Sequence, residues 1–434
     1  MRVCSIGLVG MGLLFSSLSS MAGASGVGIN EHSASTLGTA YAGRVSNAED
    51  ASIGASNPAG IAFLERPQVT VGSSVVLKGG NLENGVFKAP RGMGSAPQII
   101  ATGHEKDFLK TSMIPFGHYA MPINQFSFGL NVYAPYGVNI GYSDTFPGRT
   151  FGLKTKLETV NFQGTFAYKL RDNLSIGVGL VASRISGELT EKKYSLLVPK
   201  GIGAKVTGDD MRFTWNIGAL WQPLPKTTLG LSYHAKTTFK LSGKAEADLG
   251  NPLLNFRHDA TLDITMPDSL MLSATQVLND QWTVMADVTW VRWSTIKEIR
   301  VVDKEPFLVK TADQYVPLDW RNTLAFSLGT AYHLTDDWTL RAGYMYEQTP
   351  TSDHKRTVRV PDNDRNWFTA GARWNASQDL SIDFAAAYLM MKDGTVDQKA
   401  YKPDETVDPE GGRFTGDYKH QNTWVLSGQV TYRF

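Results

Sequence analysis

The sequence is poor in the residues that carry chemistry. Among its 434 residues there is one cysteine, Cys4. A lone thiol at the chain start provides no disulfide, no thiolate zinc site and no nucleophile further on. The eight histidines are scattered, with no HxH or HExxH spacing, and there is no GxSxG elbow. The expectation is therefore no enzyme, no cofactor and no metal. "VPDNDR", with Asp362 and Asp364 near Arg365, reads as local ion pairing in a loop. Charge is also sparse: Asp, Glu, Lys and Arg make up 19% of the chain, below the roughly 25% of soluble domains. The formal net charge of +1 offers no basic face to a nucleic acid. Past residue 24 there is no run of about 20 apolar residues, which excludes a bundle of membrane helices.

What is present begins with an export signal. Arg2, the apolar stretch "CSIGLVGMGLLFSSL" and the small residues Ala22–Ala24 have the order of a secretory leader and its cleavage site. The expected mature chain starts near Ser25, outside the cytoplasm.

From Pro67 onward the pattern has period two. "LSIGVGLVA" places Leu174, Ile176, Val178 and Leu180 on one face and Ser175, Gly177 and Gly179 on the other. "VNFQGTFAYKL", "WTVMADVTW", "WTLRAGYMYE" and "LSIDFAAAY" alternate likewise, with Asp287, Arg341 and Asp383 in mid-strand on the polar face. Such strands exceed the 5–6 residues common in sandwiches and suit the roughly 9–11 needed to cross a membrane at a tilt. Period alone fits either a soluble sandwich or a membrane barrel. Aromatics at strand ends, among them Tyr168, Trp282, Trp338 and Tyr388, match the girdle of a barrel.

The final stretch "NTWVLSGQVTYRF" alternates and ends on Phe434, as expected of a strand read by outer-membrane barrel-assembly machinery. About fourteen segments can be counted between 67 and 434. The even number suits a bacterial outer-membrane barrel facing lipid and lipopolysaccharide. Short links such as 171–173 and 335–337 would be periplasmic turns. The longer links 79–112, 190–210, 303–319, 349–364 and 394–420 would be extracellular loops.

Residues 25–66 carry no strand pattern. They are rich in Gly, Ala, Ser and Asn, as a segment plugging a wide lumen would be. The stretch "GINEHSASTLGTAYAGRVSNAEDASIGASNPAGIAFLERP" (28–67) resembles the N-terminal hatch of the FadL family of outer-membrane transporters for long-chain fatty acids and other hydrophobic compounds. "WRNTLAFSLGTAYHLTDDWTLRAGYMYEQTP" (320–350) and "VPDNDRNWFTAGARW" (360–374) are similar as well.

The resemblance implies a signal peptide at 1–24, a hatch at 25–66 and an all-β, fourteen-stranded antiparallel barrel at 67–434. It implies passive uptake: capture in a hydrophobic lumen pocket, then lateral exit beside a kinked third strand. Asn57, Pro58 and Ala59 match the family's hatch motif; a purely structural turn is the alternative. Pro135, Tyr136 and Gly137 are the candidate kink, since Pro cannot donate to a ladder and Gly weakens it; a plain β-bulge is the alternative.

A fatty-acid carboxylate wants a cation. The family places an Arg after the fifth strand and a Lys before the tenth. Here those positions hold Glu191 and Val316. Lys192, Lys193 and Arg321 are the candidate substitutes, with Lys310 nearby; solvated loop charges are the bland reading of Lys192 and Lys193. Uncharged aromatic hydrocarbons, which need no cation, are the alternative ligands. A general porin is the rival transport class.

Overall fold

The computed structural model describes residues 25–303 and 314–434, apart from 93, 196–200, 252 and 254. The expected leader and Lys310 lie outside the described residues.

Fourteen antiparallel strands close into one barrel. In chain order they are β1 (68–89), β2 (98–123), β3 (126–141), β4 (Lys154–Arg171), β5 (Leu174–Lys193), β6 (Ile202–Leu224), β7 (227–248), β8 (256–277), β9 (282–303), β10 (314–333), β11 (Trp338–Glu347), β12 (Arg365–Asn375), β13 (380–399) and β14 (413–433). Several bend or break briefly along their length. Closure is made by β1 against β14, in register from Gln68 opposite Arg433 to Val76 opposite Val425. The Phe434 amide then donates to the Pro67 carbonyl at 2.8 Å.

Alternation decides which face meets what, and the polarity is inverted relative to a soluble sandwich. Ile176, Leu180, Phe162 and Phe166 point outward and are exposed, whereas Ser175, Asn161, Gln163 and Thr165 point inward and are buried. Asp287, Arg341 and Asp383 are all within the lumen and buried. An apolar exterior with a polar, filled interior is the arrangement a lipid bilayer stabilises.

The strands reach further than the sequence pattern suggests. The 23 residues of β6 rise roughly 75 Å along the strand at about 3.3 Å per residue, far beyond a membrane crossing. Of the expected loops, 79–112 is largely strand (Gly79–Ala89 and Gln98–Leu109), and 394–420 contains Gly394–Lys399 and Arg413–Lys419. Segment 349–364 has no strand, yet it is not an exposed loop. It folds into the barrel mouth, with Arg356, Val358 and Arg359 fully buried.

Residues 25–66 run inside the barrel in two short helices, α1 (Ala34–Leu37) and α2 (Ile53–Ser56), and a 3-10 turn (Pro58–Phe63). The Ser33 side chain caps α1 by accepting from the Thr36 amide.

The lipid-facing assignment predicts that Leu180→Arg, at 69% exposure in mid-strand, destabilises the barrel by about 2–4 kcal/mol. Urea unfolding from lipid vesicles measures this. Ser183→Ala, on the opposite face of the same strand, should change it far less.

Candidate transport site

The luminal segment is joined to the wall by side chains that the wall's polar face supplies. At its centre Asn57 makes three bonds. Its Oδ1 accepts from the Ala59 amide at 3.1 Å, and its Nδ2 donates to the carbonyls of Val45 at 2.7 Å and Ala219 at 3.0 Å. The Ala59 carbonyl accepts from Ser175 Oγ at 2.9 Å. Wall glycines make room for this contact. A Cβ on Gly177 would lie 2.5 Å from the Ala59 nitrogen, and one on Gly218 would collide with Asn57 Oδ1. Asn57, Pro58 and Ala59 thus form one seam between segment and wall.

The other side of the segment is held by charge. Glu49 Oε1 lies 2.6 Å from Arg341 and 2.7 Å from Arg373. Asp50 Oδ2 lies 3.1 Å from Arg373, and Asp383 lies 2.7 Å from Arg341 and 2.9 Å from Arg373. Gln429, Ser35 and Ser52 also donate to Asp50. Burial works against the charge of Asp50, but Arg373 and the Ser52 and Ser35 hydroxyls outweigh it and hold the group at about 2. A second tie joins Arg44 of the segment to Asp287 of β9 at 3.4 Å.

The third strand breaks where Pro135 and Gly137 sit. Phe126–Tyr133 and Gly137–Gly141 are separate stretches. Toward β4 the break costs one extra residue, since Tyr133 faces Asn161 and Gly137 faces Glu158. That is a bulge. Toward β2 the loss is greater. Pairing stops at Gly117 opposite Val132 and resumes only at Leu109 opposite Ile140. Across that opening Lys110 donates its amide to Asn139, and Asn139 donates its side-chain amide to Ser112.

The freed backbone of β3 turns instead to the start of the luminal segment. The Ile29 amide donates to the Pro135 carbonyl at 2.9 Å, and the Gly137 amide to the Val27 carbonyl at 2.8 Å. Tyr136 is held by Thr159 through its amide and by Pro267 through its hydroxyl.

Two cavities flank this tail, and a third lies at the barrel mouth. An inner one of about 80 Å³ is almost wholly apolar, lined among others by Val27, Val138, Leu157, Leu241, Leu262 and Trp320. A lower one of about 130 Å³ is more polar and touches Ile29, Tyr133, Pro135, Tyr136 and His234. An outer one of about 320 Å³ at the barrel mouth mixes charged and aromatic groups, including Lys193, Tyr315, Lys355, Lys399 and Tyr401. Segment 349–364 stands between outer and inner cavities, with Thr357 lining the first and Val360 the second.

The candidate cations fall differently. Lys193 lines the outer cavity, 3.6 Å from Glu191 Oε1. Lys192 is fixed by its backbone, its amide donating to Arg149 and its carbonyl accepting from Thr150. Arg321 is exposed and donates to the Thr349 carbonyl. It follows Trp320, which lines the inner cavity, but Arg321 itself lines none of the three cavities.

Sequence reasoning missed Arg359. It is buried, and it pairs with Glu191 Oε2 at 2.7 Å. Burial lowers its pKa, against the pull of Glu191. Gln314 donates to the same carboxylate. No spacing rule links 191 to 359; only the inward fold of 349–364 joins them.

A barrel with a filled lumen, a tail across a broken strand and an apolar cavity can now be compared with known proteins. The profile of the family described as outer membrane protein transport protein (OMPP1/FadL/TodX) matches residues 15–434. This chain belongs to that family. The long-chain fatty acid transport protein of Escherichia coli K12 is 24% identical over 425 residues, 89% of this chain and 92% of that one. Outer membrane protein P1 of Haemophilus influenzae is 27% identical over 395 residues, 83% and 85% of the two chains. The crystal structure of a Pseudomonas aeruginosa FadL homologue superposes with a TM-score of 0.82 at 26% identity, covering 94% of this chain and all of that one. The Ralstonia pickettii toluene transporter TbuX shares the fold, with a TM-score of 0.65 at 20% identity over 92% and 97% of the two chains. The transporter is an outer-membrane protein.

Removing one partner of a buried ion network costs about 3–5 kcal/mol. Arg373→Met should therefore loosen the luminal segment without preventing barrel closure. Single-channel recording in planar bilayers is expected to show higher and noisier conductance than the wild type. Because Asp50 is held at about 2 against an ordinary 3.8, its contribution is complete above pH 3.8 and lost as pH falls through 2. Wild-type conductance should stay low down to that window.

Proposed function

We propose that this chain carries long-chain fatty acids passively across the outer membrane. The ligand is captured in the hydrophobic lumen and leaves sideways past Pro135–Gly137. Residues 25–66 serve as the hatch, with Asn57, Pro58 and Ala59 as its hinge against the wall. The observation that carries this reading is the apolar inner cavity reaching the strand break through Val27 and Val138. Each CH₂ moved from water into such surroundings gains about 0.8 kcal/mol, so a long alkyl chain has strong reason to enter and none to cross the polar floor. The cationic side chains of the outer cavity, Lys193, Lys355 and Lys399, suit a carboxylate arriving at the mouth.

A second reading has its own support. Glu191 occupies Arg359 and approaches Lys193, and Arg321 is turned outward. A lumen whose cations are already neutralised suits uncharged aromatic hydrocarbons. A general porin is disfavoured by a lumen filled from both ends.

The test is uptake of a labelled long-chain fatty acid and, in parallel, labelled toluene. The host is a Gram-negative strain lacking its own fatty-acid transporter. Gly187 lines the inner cavity, and a Cβ there would meet Leu241 at an ordinary 3.6 Å. Gly187→Leu should therefore fill the cavity, keep the barrel and cut uptake several-fold. Gly137→Val tests the exit in the same assay. Toluene uptake alone selects the second reading. Uptake of neither by a folded barrel overturns both.

A further inference from the structure

The start of the luminal segment lies in a buried cluster with an excess of negative charge. Ser25 is 3% exposed and its nitrogen donates to Glu347. The Gly26 amide donates to Asp362 Oδ2 at 3.0 Å, which also accepts from Thr349 Oγ at 2.6 Å. Arg365 pairs with Asp362 and lies 3.8 Å from Glu347. Glu31, fully buried, is within electrostatic reach of Glu347 and Arg365. Three carboxyl groups thus surround one guanidinium. Two buried oxygens in this neighbourhood, Glu31 Oε1 and Tyr41 Oη, have no hydrogen-bond partner among the described residues. Tyr41 packs edge-on against Trp367, whose Nε1 donates to Glu347. The carboxylates Asp362 and Glu347 face one guanidinium among the described residues, and Glu31 Oε1 and Tyr41 Oη want donors.

We propose that this cluster is a binding site for a primary ammonium, and that its ligand is the chain's own amino terminus, created at Ser25 when the leader is removed after Ala24. Hydrolysis of the 24–25 peptide bond by a signal peptidase consumes one water. The hydroxyl goes to the Ala24 carbonyl carbon, which becomes a carboxylate, and the Ser25 nitrogen becomes an ammonium. A peptide nitrogen has one N–H, already given to Glu347. An ammonium has three, and carries the missing charge. With the ammonium in place, Ser25 and Arg365 balance Glu347 and Asp362. Glu31 is then the one carboxyl left over, and burial pushes it up to about 7, toward its neutral form.

The consequence is that leader removal fastens the tail. Residues 27 and 29 bond to the broken stretch of β3, and an anchored Ser25 holds them there. An export leader still attached would leave the acid cluster uncompensated, and an unpaired buried carboxylate is strongly unfavourable. The fastened state therefore belongs to the processed chain.

Amine labelling of the purified mature barrel tests this without reference to any ligand, so its failure leaves the transport reading standing. Folding is checked by heat-modifiable mobility on a gel. A water-soluble succinimidyl acetate is added at neutral pH, and the N-terminal peptide is followed by mass spectrometry, with exposed Lys402 as internal control. The expected first residue is Ser25. Its amine should label at least about tenfold more slowly in the folded barrel than in urea, as for a group released only by local opening. Glu347→Gln should restore fast labelling. Should that variant fail to fold, Glu347→Asp draws the carboxylate away from the Ser25 nitrogen with less disturbance and should also speed labelling. A different first residue, or a Ser25 amine that is equally reactive in the folded and unfolded chains, overturns the proposal. So does a folded variant that labels as slowly as the wild type.

Discussion

The structure depends on the mismatch between a closed fourteen-strand wall and the side chains available to fill it. A barrel of this girth leaves an interior that inward-facing residues cannot occupy alone. Something must fill it, and whatever enters brings unpaired backbone groups with it. The wall answers with a polar inner face. The Ala219 carbonyl accepts from Asn57, Ser175 donates to the Ala59 carbonyl, and the Arg341–Arg373 pair takes up Glu49 and Asp50. The same polar face would destabilise a soluble sandwich. Lipid outside and a polypeptide inside together make the inverted pattern stable.

Much of this was legible in the sequence. Period two gave the strand faces, and mid-strand Asp287 and Arg341 are wall ends of the ties to the luminal segment, with Asp383 pairing Arg341 from within the wall. Pro135 and Gly137 marked the break because a missing donor and a missing side chain are visible without any structure. Less legible were the strands above the membrane. "GGNLENGVFKA" and "QIIATGHEKDFL" pair with each other through several register shifts. With no lipid on either side, nothing requires them to alternate. Segment 349–364 was hidden for another reason. Its Arg356 and Arg359 look like loop charges, yet Arg356 also donates to the Thr395 carbonyl and Arg359 pairs with Glu191, both supplied by tertiary contacts. Burial of an arginine cannot be read from its neighbours in sequence when its counter-ion is 168 residues away.

Glu191 shows why a family pattern transfers residue by residue or not at all. The resemblance implies a cation at its position, where this chain has a carboxylate with partners of its own. Arg359 comes in from the far side of the mouth to meet it, with Gln314 on the same oxygen. An anionic ligand in this lumen would compete with Glu191 for Arg359. The carboxylate already there is tethered and needs no association entropy, so it holds the advantage unless the alkyl chain supplies the difference.

Magnitudes also favour a sideways route in the proposed function. Opening toward the periplasm means separating Glu49 and Asp50 from two buried arginines, and one broken buried pair already costs about 3–5 kcal/mol. Opening at β3 means releasing the two backbone bonds made by Val27 and Ile29, each worth about 0.5–1.5 kcal/mol net. The ladder to β2 is already open there, bridged by the bonds of Asn139 with Lys110 and Ser112. The cheaper motion is also the one that meets lipid, where an apolar ligand gains from leaving. With the tail as the weak element, the firmness of its anchor at Ser25 sets how often the side opening forms.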